Sequence, residues 1–367
     1  MPPVADVVAE VNLPSTDLGA DLAFFQKTLG FRLETIYPAD SPRVATMSGH
    51  GLRVRLDRDC TAAAPELRLL AEHPDTVAGG ARELTAPNGV RVVVAPLRPA
   101  FDTPQTTHQF MVRRLKDRSP WVIGRAGMQY RDLIPGRLGG SIIASHIRIP
   151  DAGPVPDMVH YHTIGFQLIF CYSGWVRLVY EDQGPPFILG AGDCVIQPPE
   201  IRHRVLESGA HLQVIEIGVP AAHLTTIDHA MTLPTPTVDR SRVFGGQRFC
   251  HSKAAEATWQ PWRVPGFEGR DTGITDATGG VASVQVAKPG GVGAADGVFT
   301  RHTADILFTF VLAGGVTLDA GAEGTHALEE GDAYVVPPGL ATALRDPSPN
   351  LQVLEVALPG HFDTTRG

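Results

Sequence analysis

Short apolar runs separated by turns make up most of the chain beyond about the first hundred residues. Examples lie at residues 141–149, 167–172, 176–180 and 194–197, where isoleucine, valine, phenylalanine and tyrosine are frequent. Glycine or proline occupies the turns between these runs. β-Branched and aromatic residues favour strands, and many short strands with regular turns are typical of closed or nearly closed antiparallel barrels. The pattern therefore predicts a mainly β protein built on barrels.

The beginning of the chain follows a different pattern. An apolar run at residues 7–13 predicts a strand, and Asp17 then suits the N-cap of a helix over residues 18–29, which have helical periodicity. Further strands are predicted at residues 31–36, 43–48, 52–56 and 90–95. This order predicts a small α+β domain of βαβββ type with an extra hairpin, followed by a linker at residues 98–114.

The rest of the chain contains one pattern twice. Arg131-Asp132 recurs as Arg270-Asp271, and Gly192-Asp193 recurs as Gly331-Asp332. Both copies close on nearly the same apolar strand, at residues 212–216 and 351–355. Because order and spacing hold over about a hundred residues, the sequence predicts a duplicated domain.

Composition and charge limit the classes of function. The 367 residues are enough for two or three domains, and 43% hydrophobic with 19% charged residues is typical of a soluble globular protein. A net charge of −8 without a dense Lys/Arg cluster argues against a nucleic-acid surface. Apolar runs are too short for a membrane helix, and the N-terminus lacks the regions of a secretory signal. The four widely spaced cysteines indicate a reduced protein, so a cytoplasmic location is expected.

Three histidines and one glutamine form the candidate site. His160 and His162 are two positions apart, so on a strand both imidazoles point to the same face. Gln167 follows on the next predicted strand, and His203 comes just after a proline turn. If these strands line one barrel, three imidazoles and a carboxamide converge inside it. Imidazole suits Fe, Mn, Ni, Cu or Zn, and three such ligands leave positions open for substrate and for O₂ or water.

This arrangement resembles the two sequence motifs of the cupin superfamily. The first motif is matched by His160, His162 and Gly174, and the second by Gly192, Pro198 and His203. The resemblance covers about residues 119–360 and implies two tandem double-stranded β-helix barrels, at residues 119–232 and 238–367. It also implies that His160, His162 and His203 bind the metal.

Gln167 is the main departure from the cupin pattern, which places glutamate at this position. An amide is a poorer ligand than a carboxylate, so Gln167 either binds the metal weakly or only hydrogen-bonds a water or the substrate. We therefore assign it a catalytic role beside its place among the candidate ligands. Loss of the carboxylate leaves more positive charge at the metal, which favours an anionic substrate.

The second copy lacks most of these side chains. The equivalents of the three histidines and the glutamine are Thr300, His302, Thr342 and Leu307. One histidine does not hold a metal by itself, so the second barrel is expected to be structural.

The first hundred residues resemble one module of the vicinal oxygen chelate fold. The resemblance rests on Asp17, Phe24-Phe25 and Leu29-Gly30-Phe31, while Glu10 stands where that fold often has a histidine. Working members need two such modules, so residues 1–100 are expected to have a structural or dimer-forming role.

Other candidate residues are expected to have no catalytic role. His146 is predicted to be packed or at the surface, and solvent exposure is predicted for four more histidines, His211, His223, His229 and His251. Cys171 and Cys194 lie in predicted strands and are expected to be core thiols.

The expected activity is that of a non-haem metal dioxygenase. Fe(II) is the first choice, with Mn, Ni and Zn as alternatives, and the reaction would use O₂ to cleave a C–C bond of a hydroxylated aromatic or enolic small molecule. The resemblance to two-barrel dioxygenases of the gentisate type implies one competent and one degenerate barrel. Two alternatives stay open, a redox-neutral isomerase, lyase or hydrolase at the same site and a barrel that binds a small molecule without catalysis. A homodimer is expected, and nucleic-acid or membrane partners are not.

Overall fold

The protein is mainly β and folds into two compact units, residues 1–100 and 101–367. The computed structural model describes residues 8–38, 41–98, 101–117, 120–124, 127–290 and 297–367. Within these residues, no helix is both long and apolar enough to cross a membrane.

The first unit contains the predicted βαβββ element order. Its strands are β1 (Val11–Pro14), β2 (Arg32–Tyr37), β3 (Val44–Gly49) and β4 (Leu52–Asp57), and helix α1 (Leu18–Ala23) continues as a π-helical turn, Phe24–Thr28. The sheet order is β1-β4-β3-β2, with β1 parallel to β4. Asp17 is the N-cap, because its carboxylate accepts the Ala20 N–H at 3.0 Å. Residue 7 of the predicted first strand lies outside the described residues.

A second, smaller sheet completes the first unit. It contains β5 (Glu66–Ala71), β6 (Glu83–Thr85) and β7 (Arg91–Pro96) in the order β5-β7-β6. The antiparallel pair β6–β7 is the predicted extra hairpin, whereas the sequence pattern did not reveal β5, which runs parallel to β7. Glu10 forms an ion pair with Arg53 at 2.8 Å.

The second unit begins with β8 (Met111–Arg113), which precedes the first repeat. The strands of the first repeat are β9 (Val122–Ile123), β10 (Gln129–Asp132), β11 (Ile143–Ile149), β12 (Gly153–Pro154), β13 (His160–Thr163), β14 (Phe166–Ser173), β15 (Trp175–Tyr180), β16 (Phe187–Gly190), β17 (Cys194–Ile196), β18 (His203–Ser208), β19 (Leu212–Val219) and β20 (Leu224–Ile227).

The second repeat follows the same plan with a short helix, α2 (Ile274–Ala277). Its strands and those of the preceding connection are β21 (Val243–Phe244), β22 (Gln247–Arg248), β23 (Cys250–Ser252), β24 (Gln260–Pro261), β25 (Phe267–Asp271), β26 (Ser283–Pro289), β27 (Thr300–His302), β28 (Ile306–Ala313), β29 (Gly315–Asp319), β30 (Thr325–Glu329), β31 (Ala333–Val335), β32 (Ala343–Arg345), β33 (Gln352–Leu358) and β34 (Thr364–Arg366). Single 3₁₀ turns lie at Pro74–Thr76, Ala78–Gly80, Leu115–Asp117, Arg137–Gly140, Ala254–Glu256 and Gly321–Glu323.

Each repeat forms a barrel from facing sheets. In the first barrel, a sheet in the order β23-β17-β14-β19-β11-β10-β9 faces a sheet in the order β16-β15-β18-β13-β20. In the second barrel, the large sheet has the order β24-β25-β26-β33-β28-β31-β8 and faces the shorter sheets β30-β29-β32 and β27-β34. The predicted strands of the first repeat correspond to β11, β14, β15 and β17, which confirms the barrel prediction.

The two repeats exchange a strand. β8 lies in the predicted linker before the first barrel but pairs with β31 of the second, and β23 precedes the second barrel but pairs with β17 of the first. Within the predicted 98–114 linker, Met111–Arg113 is therefore part of a barrel sheet rather than a free connection. Sequence patterns did not reveal this exchange, because a strand's own residues do not specify which edge it joins.

The large sheets pack against each other through a shared apolar core. Phe166, Leu168 and Phe170 alternate along β14 on this face and meet Phe308 and Phe310 of the second barrel. Because side chains alternate across a strand, the residues between them, Gln167, Ile169 and Cys171, face the interior of the first barrel. The register of β14 thus decides which side chains reach the candidate site.

Candidate metal centre

The three predicted histidines meet inside the first barrel. His160 and His162 lie on β13, and His203 is the first residue of β18, directly opposite His160 in the strand register. All three side chains are buried, with exposed fractions of 0%, 8% and 3%. The strand alternation that places residues 160 and 162 on one face therefore aims both imidazoles into the barrel.

Each histidine is oriented through its Nδ1 atom. Nδ1 of His160 lies 2.7 Å from the Met158 carbonyl oxygen, and Nδ1 of His203 lies 3.0 Å from the Ile201 carbonyl oxygen. Nδ1 of His162 lies 2.9 Å from the Thr225 hydroxyl. A carbonyl only accepts, so the contacts of His160 and His203 place the proton on Nδ1 and the lone pair on Nε2, whereas the Thr225 hydroxyl can either accept from His162 or donate to it.

This arrangement fits a divalent transition metal. One ligand nitrogen from each histidine lies within 4.8 Å of the other two, and the ring centroids are 4.2–5.2 Å apart. Histidine ligands in metal sites usually donate their other ring N–H to a carbonyl or carboxylate, as His160 and His203 do. His160 and His203 would therefore hold the ion through Nε2, with His162 as the third ligand.

A cavity of about 280 Å³ adjoins the three histidines. Most of its wall is apolar, and its lining residues include Ile147, Ile169, Leu178, Val205, Leu212 and Val214. The polar lining side chains beside the histidine cluster are Tyr130, Ser145, Gln197, Glu216, His223 and Thr225. A mostly apolar cavity with a few converging polar groups is typical of a small-molecule site.

The side-chain amide of Gln167 donates a hydrogen bond to the carboxylate of Glu216. Its Nε2 donates to Glu216 Oε1 at 2.6 Å, and the amide is buried, with 1% exposed. No described residue hydrogen-bonds its Oε1. Glu216, which the sequence analysis did not single out, lines the cavity, so the first barrel does contain a carboxylate beside the histidines. Whether Gln167 also binds a metal stays a prediction.

The turn before His203 has an unusual backbone. Glu200 occupies the place of the glycine in the cupin motif and adopts a left-handed φ of 62°, while the matching residue of the second repeat is Gly339 with φ of 80°. In both turns this residue's N–H donates at 3.0 Å to the carbonyl of the second motif histidine, His162 or His302. The left-handed backbone costs a non-glycine residue about 1–2 kcal/mol.

The remaining histidines and cysteines have different environments. His223 was expected to be solvated, but its ring lines the cavity 5.5 Å from that of His162. His251 was also expected to be solvated, but it lies on β23 and stacks on Phe187 at 4.4 Å. The sequence around His223 and His251 gives no local sign of what these residues pack against. Burial raises the pKa of Cys171 and of Cys194 to about 12, which fits core thiols rather than nucleophiles.

The corresponding place in the second barrel is filled. Thr300 and Thr342 bridge each other there, and the cavity lined by both is about 10 Å³. Arg263 reaches into this wall and donates two hydrogen bonds to Glu355, one of them at 2.7 Å. His302 is buried, and burial lowers its pKa to about 4. Among the described residues, these side chains fill the place that corresponds to the histidine cluster of the first barrel.

Solved structures share the two-barrel arrangement. Salicylate 1,2-dioxygenase from Pseudaminobacter salicylatoxidans is 14% identical, with a TM-score of 0.51 over 72% of this chain and 90% of that one. Protein Ylba from E. coli is 13% identical, with a TM-score of 0.50 over 71% and 94%. Oxalate decarboxylase from Bacillus subtilis, studied for its Mn(II) centres, is 12% identical, with a TM-score of 0.51 over 72% and 81%.

These neighbours are two-barrel proteins of the cupin type. The chain therefore contains the two-barrel cupin fold that its motifs predicted. No family model matches the sequence, and no curated relative matches it. The likeness of the first unit to the vicinal oxygen chelate fold stays a prediction.

Proposed function

We propose that the first barrel is a mononuclear non-haem Fe(II) dioxygenase that cleaves a C–C bond of a hydroxylated aromatic or enolic small molecule. The observation that carries this proposal is the buried cluster of His160, His162 and His203, oriented through Nδ1 and open to the cavity. Bound there, Fe(II) would supply Lewis-acid and one-electron chemistry toward substrate and O₂.

Three neutral ligands on one side of an ion suit this reaction. His160, His162 and His203 would leave part of a bound ion open to substrate and O₂, and the positive charge of the ion would be balanced by the substrate. Mn, Ni and Zn bind the same ligand set, so the choice of Fe(II) rests on the type of reaction rather than on geometry.

The chain itself supplies orientation and water exclusion. Ile147, Ile169 and Val214 give the cavity apolar walls that suit a planar ring or an enol. Gln167 holds the Glu216 carboxylate by its hydrogen bond of 2.6 Å, which supports an indirect role for the amide alongside the predicted metal contact. Thr225 and the two backbone carbonyls fix the imidazole rings.

A second candidate is redox-neutral metal chemistry, such as a lyase or isomerase reaction. The observation that favours it is the presence of Glu216 and His223 in the cavity, because acid and base groups beside a metal serve proton transfer without O₂. Both kinds of activity occur among the structural neighbours, one a dioxygenase and one a decarboxylase.

Two further expectations belong to this proposal. We infer that the protein works as a homodimer, since incomplete chelate-type modules pair in working members, and that it acts in the cytoplasm. Light scattering on the purified chain tests the first, and fractionation of the producing cells tests the second.

Metal content tests the proposed function. Protein purified without a histidine tag is analysed by mass spectrometry as wild type, His162→Ala and His302→Ala. The last variant is the matched control, because it removes the corresponding histidine of the second barrel. We expect near-stoichiometric iron in the wild type and in His302→Ala, and its loss in His162→Ala.

Oxygen uptake then separates the two reaction types. Iron-loaded protein is assayed with catechols, gentisate-like acids and β-diketones, with and without O₂. Uptake that needs His162 supports the dioxygenase, whereas turnover without O₂ supports the redox-neutral reaction. Absence of metal after anaerobic reconstitution would refute both and leave a small-molecule binding barrel.

A further inference from the structure

We propose that the substrate carries an uncharged hydrocarbon substituent, which lies in an apolar compartment at the end of the cavity away from the histidines. Four lining residues form this apolar compartment, Met128, Ile149, Val176 and Leu212. This inference rests on the proposed function, because the hydroxylated or enolic head of the same molecule would bind at the metal. It names the part of the substrate that the three histidines do not select.

One end of the cavity is polar. Gln197 lies there, because its Nε2 donates to the Tyr180 hydroxyl at 2.9 Å and the Tyr180 ring stacks on that of His203 with centroids 5.5 Å apart. The backbone N–H of Gln197 donates to the Gln167 carbonyl at 2.9 Å, and the Gln167 amide donates to Glu216. The other polar lining side chains at this end are His223 and Thr225, beside His162, and Ser145, opposite Glu216.

Strand register shows that the cavity continues well beyond the polar end. Away from the histidines along β19, the lining residues are Glu216, Val214 and Leu212, and Leu212 pairs with Ile149 of β11. At about 3.3 Å per residue, Leu212 lies about 13 Å from Glu216 along the strand. In the facing sheet, Val176 is the lining residue of β15 farthest from the histidines. A single ring bound at the metal therefore leaves the far end for a substituent.

The side chains of the apolar compartment are hydrocarbon or thioether groups. Met128, Val176 and Leu212 are buried, with 7%, 3% and 3% exposed. Tyr130 lies closer to the histidines, because it pairs with Ile147 of β11. An ionised group in the compartment would lose its hydration without gaining a partner from these side chains, whereas a hydrocarbon chain is stabilised by leaving water.

The charge of a bound ion would act at the other end of the cavity. The three histidines and Glu216 lie there, so the charge of the ion would be balanced by this carboxylate and by the oxygens of the substrate head. The ion thus selects the head group, and the apolar compartment selects the substituent.

The second repeat shows how a barrel interior of this kind is filled. Its Trp262 is 8% exposed and lines the cavity of about 10 Å³. Gly269 stands where the first repeat has Tyr130, since each precedes the repeated arginine, and a Cβ on Gly269 would lie 2.7 Å from the Trp262 ring. The first barrel has the reverse pair, because a Cβ on Gly124 would lie 2.7 Å from the Tyr130 ring. A tryptophan thus fills part of the second interior, whereas Gly124 contributes no side chain to the first.

A series of alkylated catechols tests the proposal. Catechol and derivatives with a methyl, propyl or hexyl chain opposite one hydroxyl are titrated calorimetrically into iron-loaded wild type under argon, so that binding is measured without turnover. We expect Kd to fall about three- to fourfold for each added methylene. A catechol whose propyl chain ends in a carboxylate should bind at least about tenfold more weakly than the propyl compound. Equal or tighter binding of the carboxylate compound would overturn the assignment of an uncharged substituent.

A filled compartment locates the effect. Val176→Phe places a larger side chain at the far end, and Val238→Phe is the matched control, because Val238 is 56% exposed and does not line the cavity. We expect the preference for the hexyl compound over catechol to fall about tenfold or more in Val176→Phe and to keep its wild-type value in Val238→Phe. Iron content equal to that of the wild type shows that each variant folds. Leu212→Phe fills the same space and replaces Val176→Phe if that variant loses its iron.

Alkylphenols separate this inference from the proposed function. Their single hydroxyl does not chelate a metal, so with metal-free wild type they report on the apolar compartment alone, and their affinity should also rise with chain length. That rise, with no catechol bound by iron-loaded protein, would overturn the proposed function and leave the compartment. Catechol binding that does not depend on chain length, or a preference that Val176→Phe leaves unchanged, would overturn the apolar compartment alone.

Discussion

Protonation of His146 should weaken the contact between the barrels at acidic pH. The ring is 2% exposed and lies 5.8 Å from Phe310 of the second barrel. Its Nε2 donates to Gln213 at 2.7 Å, and its Nδ1 accepts from Arg131 at 3.2 Å. The ring thus has one nitrogen that donates and one that accepts, as neutral imidazole does. A second proton, on Nδ1, would break the hydrogen bond from the Arg131 guanidinium and place two positive charges side by side.

The size of the effect follows from the pKa. Burial, with the nearby charge of Arg131, lowers the pKa of His146 from 6.5 to about 4. Because the folded pKa is depressed, the unfolded chain takes up the proton first as pH falls, and stability present above pH 6.5 is lost toward pH 4. At about 1.4 kcal/mol per pH unit, the loss is about 1.5 kcal/mol at pH 5.5 and about 2.5 kcal/mol at pH 4.5.

Urea unfolding of wild type and His146→Gln between pH 7.5 and 4.5 measures this loss. The four tryptophans, Trp121, Trp175, Trp259 and Trp262, all lie in the second unit, so their fluorescence reports that unit alone. Glutamine does not titrate, and its amide can still donate to Gln213 and accept from Arg131. We expect the stability advantage of wild type over the variant to shrink by about 2.5 kcal/mol at the acidic end.

The exposed His229 provides the control. Other groups, including His302, also respond to acid but cancel in the difference between wild type and variant. His229→Gln should show no such trend relative to wild type. A difference between wild type and His146→Gln that stays constant within about 0.5 kcal/mol from pH 7.5 to 4.5 would refute the argument.

Three further predictions test the site and its supports. Thr225→Val removes the partner of His162 Nδ1 and should weaken metal binding by about 10–100-fold in a chelator competition, and an unchanged affinity would contradict that role. Arg263→Met leaves Glu355 buried without its cation and should cost about 3–5 kcal/mol in urea unfolding while metal content stays constant. Glu200→Gly should raise stability by about 1 kcal/mol in the same assay, because glycine adopts the left-handed backbone without strain, and a loss of stability would show that the glutamate side chain contributes more than its backbone costs.

Local patterns in the sequence predicted the barrels and the histidine cluster. The spacing of His160 and His162 needs only strand alternation, and the proline turn before His203 brings it to the adjacent strand. Asp17 as a helix cap is equally local. Each of these features depends on residues a few positions apart, which a sequence shows directly.

Features that depend on distant pairing were not predicted. Glu216 belongs to an apolar strand shared by both repeats, and its sequence neighbours do not show that it meets Gln167, 49 residues away. His223 looks like a loop residue until β20 places it beside His162. The exchanged strands β8 and β23 are short and half-buried, so their own patterns give no sign of their partners.

The contact between the barrels explains why some residues recur in both repeats while the ligands do not. Arg131 donates to the Gly331 carbonyl across the contact at 3.0 Å, and Arg270 donates to the Gly192 carbonyl in return. The repeated aspartates next to these glycines, Asp193 and Asp332, accept the N–H groups of Ala254 and Leu115 at 2.7 Å, just after the exchanged strands.

The glycine–aspartate pair of each barrel therefore has two roles. The glycine carbonyl accepts from the arginine of the other barrel, and the aspartate holds the chain that follows the exchanged strand. A substitution in either glycine–aspartate pair would disturb both barrels, because leaving a buried arginine without its hydrogen-bond acceptor costs about 1–3 kcal/mol of stability or more. The interior of the second barrel is not part of this contact. There the ion pair of Arg263 and Glu355 occupies the place where the first barrel has a cavity. The contact thus preserves the frame of both barrels, whereas the described residues leave a cavity beside the motif histidines of the first barrel and fill the same place in the second.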